Sequence, residues 1–183
     1  MQPLRQLAEV LAEVAGPDRA IFATADLRSA LPQLSDAAFT ALLSRAASGG
    51  LLERICRGVY QYPRAGLEPG LVLPQAAARL RAGHFLYLSL ESALSEHGLI
   101  SQILLDRLTL MTSGRRGVID CGRWGSIEFT HTTRTPAECR ERLTYDPARR
   151  LWIANPRLAW SDLKRVGRNL DLVDTSAWEH RDA

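Results

Sequence analysis

Hydrophobic residues recur every three or four positions in two segments of the first 63 residues, a spacing that predicts amphipathic helices. In residues 4–14 the apolar positions follow this rhythm, and Gly16 and Pro17 end it. Residues 36–48 show the same spacing, and Ser35 is a good N-cap for a helix that begins after it. The predicted inner face of this second helix consists of Phe39, Leu42, Leu43 and Ala46.

A short helix and a β-hairpin complete the pattern of the first 63 residues. Thr24 is a suitable N-cap for a helix that ends before Pro32. Two β-rich runs, at 51–55 and 59–62, are separated by a turn that contains Gly58, which predicts a hairpin. Three helices followed by a hairpin is the order of a winged helix-turn-helix, in which the third helix is the recognition helix and the hairpin is the wing.

Short strands and short helices are predicted in the rest of the chain. The strands are predicted at 85–88, 108–112, 117–120, 126–131 and 151–153, and the helices at 75–81, 91–96 and 159–166. Residues 64–74 contain two glycines and two prolines and are predicted to be a linker. We therefore expect an α+β protein with a winged helix-turn-helix at 1–63, a linker at 64–74, and a small mixed α/β domain at 75–183.

Positive charge is concentrated in the second half of the chain. The whole chain has a formal net charge of +3. Residues 1–63 hold six arginines and six acidic residues, whereas residues 107–168 hold thirteen arginines and lysines against six acidic residues, a local charge of +7. Such a surplus can supply phosphate contacts, or it can be an ordinary solvated surface. Both interpretations stay open on charge alone.

The outward face of the predicted recognition helix is small and hydroxylated, which would let the helix lie close in a major groove. Arg45 on this face can reach a guanine edge or a phosphate, and arginines on the wing can hold the backbone. The loop at 112–117 could hold an anion, although a strand connection with exposed arginines is the simpler interpretation. The candidate DNA-binding residues are Arg28, Thr40, Ser44, Arg45, Ser48, Arg54, Arg57, Arg115 and Arg116. Because residues 1–63 are neutral, a protein-interaction adaptor built on a winged helix is an alternative.

No catalytic or nucleotide-binding motif is present, so we expect a protein that is not an enzyme and needs no cofactor. The alternative is a metal-dependent nuclease that uses Asp120 and Glu128. Thr130 stands where such nucleases place a lysine, and Lys164 is the only lysine in the chain.

Cysteine usage and hydropathy exclude further classes of protein. The three cysteines are widely spaced and form no C-x-x-C pair, so we expect reduced thiols and no metal site. No apolar run is long enough to span a bilayer, and we expect a cytoplasmic protein with no membrane partner.

Five stretches of the sequence resemble one protein family. The most specific stretch, at 87–100, reads Tyr-Leu-Ser-Leu-Glu-Ser-Ala-Leu-Ser-Glu-His-Gly-Leu-Ile. The other stretches lie at 22–27, 55–60, 125–129 and 154–159, the last of them followed by Asp162. Together they are similar to the AbiEi-type antitoxins of abortive-infection, type IV toxin–antitoxin systems.

This resemblance implies a transcriptional autorepressor that binds inverted repeats of double-stranded DNA in its own promoter. It also implies that the second domain counteracts a nucleotidyltransferase-like toxin without a stable complex and assists DNA binding. The protein would be a monomer in solution or a dimer on DNA. A stand-alone winged-helix regulator with no toxin partner is the remaining alternative.

Overall fold

The computed structural model describes residues 2–100 and 106–174. Over these residues the chain is a mixed α+β protein, as predicted, and it contains seven α-helices and two β-sheets. It divides into two compact units, residues 1–80 and 81–183. Parts of the predicted second domain, at 101–105 and 175–183, lie outside the described residues. In the described ranges, no helix combines the length and the apolar character that crossing a membrane requires.

The first unit contains four helices and a three-stranded antiparallel sheet. Its elements are α1 (Pro3–Val14), β1 (Ile21–Ala23), α2 (Thr24–Ser29), α3 (Asp36–Ser48), β2 (Glu53–Cys56), β3 (Val59–Gln61) and α4 (Val72–Leu80). Strand β3 is central and pairs with both β1 and β2. The three helices and the hairpin that the sequence predicts in this region are confirmed.

Helix α3 begins and packs as predicted from the sequence. The Ser35 hydroxyl accepts a hydrogen bond from the backbone N–H of Ala38 at 3.3 Å, which satisfies one of the N–H groups that the first turn leaves open. All four predicted inner residues are buried, with Leu42 and Ala46 fully so. The helix therefore packs into the unit through one face and leaves the opposite face exposed.

Thr24 does not cap α2, contrary to the prediction. The helix starts at Thr24, and the N-cap residue is Ala23, whose N–H donates to the Asp26 carboxylate at 2.6 Å. The N–H and hydroxyl of Thr24 instead donate to the Gly58 carbonyl, at 2.9 and 3.2 Å. Gly58 has φ +80° in the turn between β2 and β3, a conformation that favours glycine. Thr24 thus joins the start of α2 to the tip of the hairpin.

The segment predicted to be a linker lies inside the first unit. Residues 64–74 form short 3-10 turns and the start of α4, and their side chains Ala65, Leu67 and Val72 are buried. Helix α4 packs against β1 and β3, and its Arg79 forms an ion pair with Asp26. The division between the two units therefore falls after residue 80. The glycines and prolines of residues 64–74 form turns within the first unit and do not mark an exposed linker.

The second unit is built on a six-stranded mixed sheet. Its elements are β4 (Leu86–Leu88), α5 (Leu90–Glu96), β5 (Arg107–Thr112), β6 (Gly117–Asp120), β7 (Ser126–His131), α6 (Pro136–Cys139), β8 (Leu143–Asp146), β9 (Leu151–Ala154) and α7 (Pro156–Val166). The strand order is β6-β7-β5-β4-β9-β8. The pairs β4–β9 and β5–β7 are parallel, and the other three are antiparallel.

Helices α5 and α7 cover one face of this sheet. Tyr87 and Met111 from the strands join Leu94 of α5 and Leu163 of α7 in the core cluster. Helix α7 begins after Asn155, whose side chain accepts from the N–H of Leu158 at 2.9 Å. The predicted strands and the terminal helix are present, whereas β8 and α6 were not predicted.

Candidate nucleic-acid interface

Considered within the first unit, the outward face of α3 is exposed. Thr40, Ser44, Arg45 and Ser48 are all exposed. The Thr40 hydroxyl donates to the Asp36 carbonyl at 2.9 Å, and the Ser48 hydroxyl donates to the Arg45 carbonyl at 3.2 Å. Because these hydroxyl protons are engaged by the helix, the two oxygens present lone pairs outward. Both can accept hydrogen bonds, for example from the exocyclic amino group of a base.

The hairpin carries two exposed arginines. Arg54 lies on β2 opposite Tyr60, and its Nε donates to the Cys56 carbonyl at 3.4 Å. Arg57 lies at the turn beside Gly58, whose carbonyl Thr24 holds. Across the described parts of the chain, the guanidinium groups of these two residues and of Arg45 form no ion pair. Their charge is therefore available to an anionic partner.

The side chain of Arg28 contacts the protein itself. Its Nη1 donates to the Leu31 carbonyl at 2.8 Å, its Nη2 donates to the Leu34 carbonyl at 2.5 Å, and its guanidinium lies over the Phe39 ring. It thereby holds the connection between α2 and α3. Because its donors are engaged in this way, we remove Arg28 from the set of predicted phosphate contacts.

Arg115 and Arg116 belong to the second unit, in the connection between β5 and β6. Both are exposed, and over the described residues neither forms an ion pair with a carboxylate. They line an open cleft together with Arg81 and two histidines. The predicted contact residues therefore fall into two groups, one on α3 and the hairpin and one at this cleft.

A buried polar cluster lies between the sheet and α7 of the second unit. Asp162 has no exposed surface, and its Oδ2 accepts from the Tyr87 hydroxyl and from the Ser89 hydroxyl, each at 2.9 Å. Arg134 donates through Nε to the other carboxylate oxygen at 3.1 Å. Burial and the adjacent carboxylate raise the pKa of Tyr87 far above its usual range, so its hydroxyl stays protonated. Burial lowers the pKa of Arg134, but the charge of Asp162 outweighs this effect and leaves that pKa raised.

A second cluster joins two acidic side chains through one arginine. Arg168 donates to Glu91 through Nε at 2.8 Å and through Nη2 at 3.1 Å, a two-pronged contact, and its Nη1 donates to Glu128. Asn169 and Arg107 add a hydrogen bond to Glu91 and one to Glu128, respectively. Burial lowers the pKa of Arg168, but its hydrogen bonds to the two carboxylates outweigh this effect and leave the pKa raised.

The nuclease alternative finds no support in this arrangement. Glu128 is bound by Arg168 and Arg107, while Asp120 is exposed and accepts the N–H of Gly122 at 2.8 Å. Within residues 2–100 and 106–174, no three histidine, cysteine or carboxylate side chains come together as a metal site requires. The three cysteines are free and buried.

The stretch at 87–98, which gives the most specific part of the family resemblance, consists largely of residues that fix α5 to the sheet. Beyond the bonds of Ser89 and Glu91, the Ser92 hydroxyl accepts the N–H of Thr109 at 2.8 Å. The ring of His97 bonds to the Ala154 carbonyl at 3.1 Å, and Gly98 ends the helix with φ +67°. These contacts give the polar residues of the stretch a structural role in holding α5 to the sheet.

Comparison with known proteins adds no assignment to these surfaces. A scan against protein-family models finds no match to this chain, and a search of curated proteins finds none with significant similarity. The exposed face of α3, the hairpin and the cleft are the surfaces that the described residues offer to a partner.

Proposed function

We propose that the first unit is a winged helix-turn-helix that binds double-stranded DNA, with α3 as the recognition helix and the β2–β3 hairpin as the wing. The observation that carries this proposal is the exposed face of α3, which presents Thr40, Ser44, Arg45 and Ser48 beside a hairpin with two more exposed arginines. Side chains this short allow the helix backbone to approach base edges. An arginine among them can form two hydrogen bonds with guanine.

The order of elements supports the same interpretation. Helices α1 and α3 pack together, α2 precedes α3 through the connection that Arg28 holds, and the hairpin follows directly. In the winged-helix arrangement the helix reads bases, while the hairpin contacts the backbone or the adjacent minor groove. Arg45 is therefore assigned to base recognition, and Arg54 and Arg57 to backbone contacts.

We further propose that this DNA-binding protein represses its own promoter and acts as the antitoxin of a type IV toxin–antitoxin system, opposing a nucleotidyltransferase-like toxin. The resemblance of five stretches to AbiEi-type antitoxins supports this role. The local charge of +7 over residues 107–168 is consistent with an auxiliary contribution of the second unit to DNA binding.

Arg45→Ala is expected to weaken binding to an inverted repeat upstream of the gene by about tenfold or more, because it removes a contact to a base. Arg57→Ala is expected to weaken binding to all duplexes by similar factors and to reduce the salt dependence by about one phosphate contact. Fluorescence anisotropy at several salt concentrations measures both effects. Arg5→Ala is the control, since it removes an exposed arginine from α1, where its partner is Glu9.

Equal affinity for the promoter repeat and for a scrambled duplex would reject the repressor. Retained protein partners in pull-down experiments, with no DNA affinity at low salt, would instead establish the adaptor alternative. Sedimentation with and without the repeat distinguishes a dimer in solution from one that forms on DNA.

Co-expression of this protein is expected to relieve the growth arrest caused by a nucleotidyltransferase-like toxin encoded beside it. The same assay with Arg45→Ala separates the two roles, because neutralisation should survive a loss of operator binding. Growth arrest that persists at full expression of the protein would reject the antitoxin and leave a stand-alone regulator.

A further inference from the structure

The second unit contains an open cleft of about 910 Å³ that is rich in cations. Its walls come from the segment before β4, the loop after β5 and the end of β7. The charged and titratable side chains that line it are Arg81, His84, Arg115, Arg116 and His131. Among the described residues that line the cleft there is no carboxylate. A volume of this size lies within the range of sites that hold small ligands.

Arg81 is held in place before any ligand arrives. Its guanidinium carbon lies 4.1 Å from the centroid of the Phe129 ring, which is buried in the sheet, and its Nη2 donates to the Arg115 carbonyl at 3.1 Å. Burial lowers the pKa of Arg81, because protein atoms replace part of the water around its charge. An anion beside a partly desolvated guanidinium gains more than it would beside an exposed one.

The loop that carries Arg115 and Arg116 is also fixed. Ser113 pairs with Phe85 through two hydrogen bonds, one from its backbone N–H at 2.9 Å and one to its hydroxyl at 3.0 Å. The N–H of Gly114 donates to the Thr112 hydroxyl at 3.0 Å. A Cβ at Gly114 would stand 3.1 Å from the His84 ring, so the loop packs closely against the opposite wall.

His131 is oriented by the same loop. Its Nδ1 lies 2.9 Å from the Gly114 carbonyl oxygen. Since a carbonyl only accepts, Nδ1 carries the hydrogen in this contact, and the ring is held with Nε2 on its opposite side. With the hydrogen on Nδ1, the neutral ring presents Nε2 as an acceptor, which can take the proton of a hydrogen phosphate group while the guanidinium groups bind its other oxygens.

We propose that this cleft binds the phosphate group of a small phosphomonoester, of which a nucleoside monophosphate is the representative. Planar guanidinium groups match the oxygens of a phosphate through paired hydrogen bonds, and a terminal phosphate offers three such oxygens. A duplex presents its phosphodiesters on a convex surface, whereas a terminal phosphate can enter a concave site. This proposal extends beyond the DNA-binding function and does not depend on it.

The test is a titration of the full chain, at constant ionic strength, with inorganic phosphate, adenosine 5′-monophosphate and adenosine. Isothermal calorimetry and ³¹P NMR should show saturable binding of both phosphate compounds and none of adenosine. Arg115→Gln combined with Arg116→Gln should weaken the binding by about tenfold or more. Arg140→Gln removes one exposed charge elsewhere in the same unit and should leave the binding unchanged.

Several results would overturn the proposal. One is a response that fails to saturate, and another is equal weakening in Arg140→Gln, since both describe a general ionic effect. A third is a wild-type chain that binds an unrelated duplex through Arg115 and Arg116 but neither phosphate compound, because the cleft would then serve phosphodiesters. Circular dichroism of the double variant verifies that it is folded. Promoter affinity of the double variant, measured separately, shows whether these two arginines also contribute to DNA binding, and the phosphate titration is interpreted independently of it.

Discussion

Replacing Asp162 with asparagine is expected to reduce the free energy of unfolding by about 3–5 kcal/mol, the range found when one partner of a buried ion pair is removed. The carboxylate has no exposed surface, and it is the counter-charge of Arg134, whose side chain is 21% exposed. It also accepts the hydroxyl protons of Tyr87 and Ser89. An amide keeps the shape, and its oxygen can still accept from Tyr87 and Ser89. It loses the charge, however, and turns N–H donors towards Arg134, so the guanidinium loses its counter-charge.

Urea denaturation followed by circular dichroism measures this effect. Asp171→Asn, at an exposed position after α7, is the matched control and should change stability by less than about 0.5 kcal/mol. A double-mutant cycle with Arg134→Met isolates the ion pair, because the double variant should lose less than the sum of the two single losses. Additive losses would show that the two side chains do not interact energetically.

The elements that sequence reasoning found are those whose signal is local. Helix α3 could be predicted from the serine at its N-cap and from apolar residues at helical spacing, and its whole inner face was predicted. Strand β8 was missed because it is four residues long and lies at the edge of the sheet, where its pattern is weak. Helix α6 was missed although Thr135 and Glu138 form a capping box. A threonine followed three residues later by a glutamate is a sequence signature of a helix N-terminus.

The errors at particular residues come from partners that are distant in sequence. Nothing near Thr24 indicates that its hydroxyl bonds to Gly58, 34 residues later. Arg28 looked like a surface cation because arginine next to a recognition helix often contacts phosphate, yet two backbone carbonyls and the Phe39 ring engage it. Residues 64–74 read as a linker because glycine and proline mark turns, and turns occur inside compact units as well as between them.

The two candidate sites also differ in how far the local sequence predicts them. The exposed residues of α3 could be predicted because a helix whose inner face is known has a known outer face. The cleft could be anticipated only through the loop at 112–117, since Arg81, His84 and His131 come from segments up to 50 residues apart. Their meeting depends on the parallel pairing of β5 with β7, which the lengths and compositions of the strands do not specify.

Replacing Arg168 with leucine is expected to reduce the free energy of unfolding by about 3 kcal/mol, the lower end for a broken buried pair, because a third of the arginine side chain remains in water. Glu91 and Glu128 are nearly buried, and this arginine is the group that binds both of them. Without it, each of the two buried carboxylates keeps one side-chain hydrogen bond among the described residues, Glu91 from Asn169 and Glu128 from Arg107.

Chemical denaturation of Arg168→Leu against Arg140→Leu measures this loss, since the latter removes an exposed arginine from the same unit. A triple variant that adds Glu91→Gln and Glu128→Gln should recover part of the stability, because no charge then stays buried without a partner. Equal stability of the two leucine variants would mean that the carboxylates reach water without Arg168. The packing of α5, β7 and the segment after α7 against one another would then not depend on this ion-pair cluster. The polar residues of the 87–98 stretch would need an explanation other than stability.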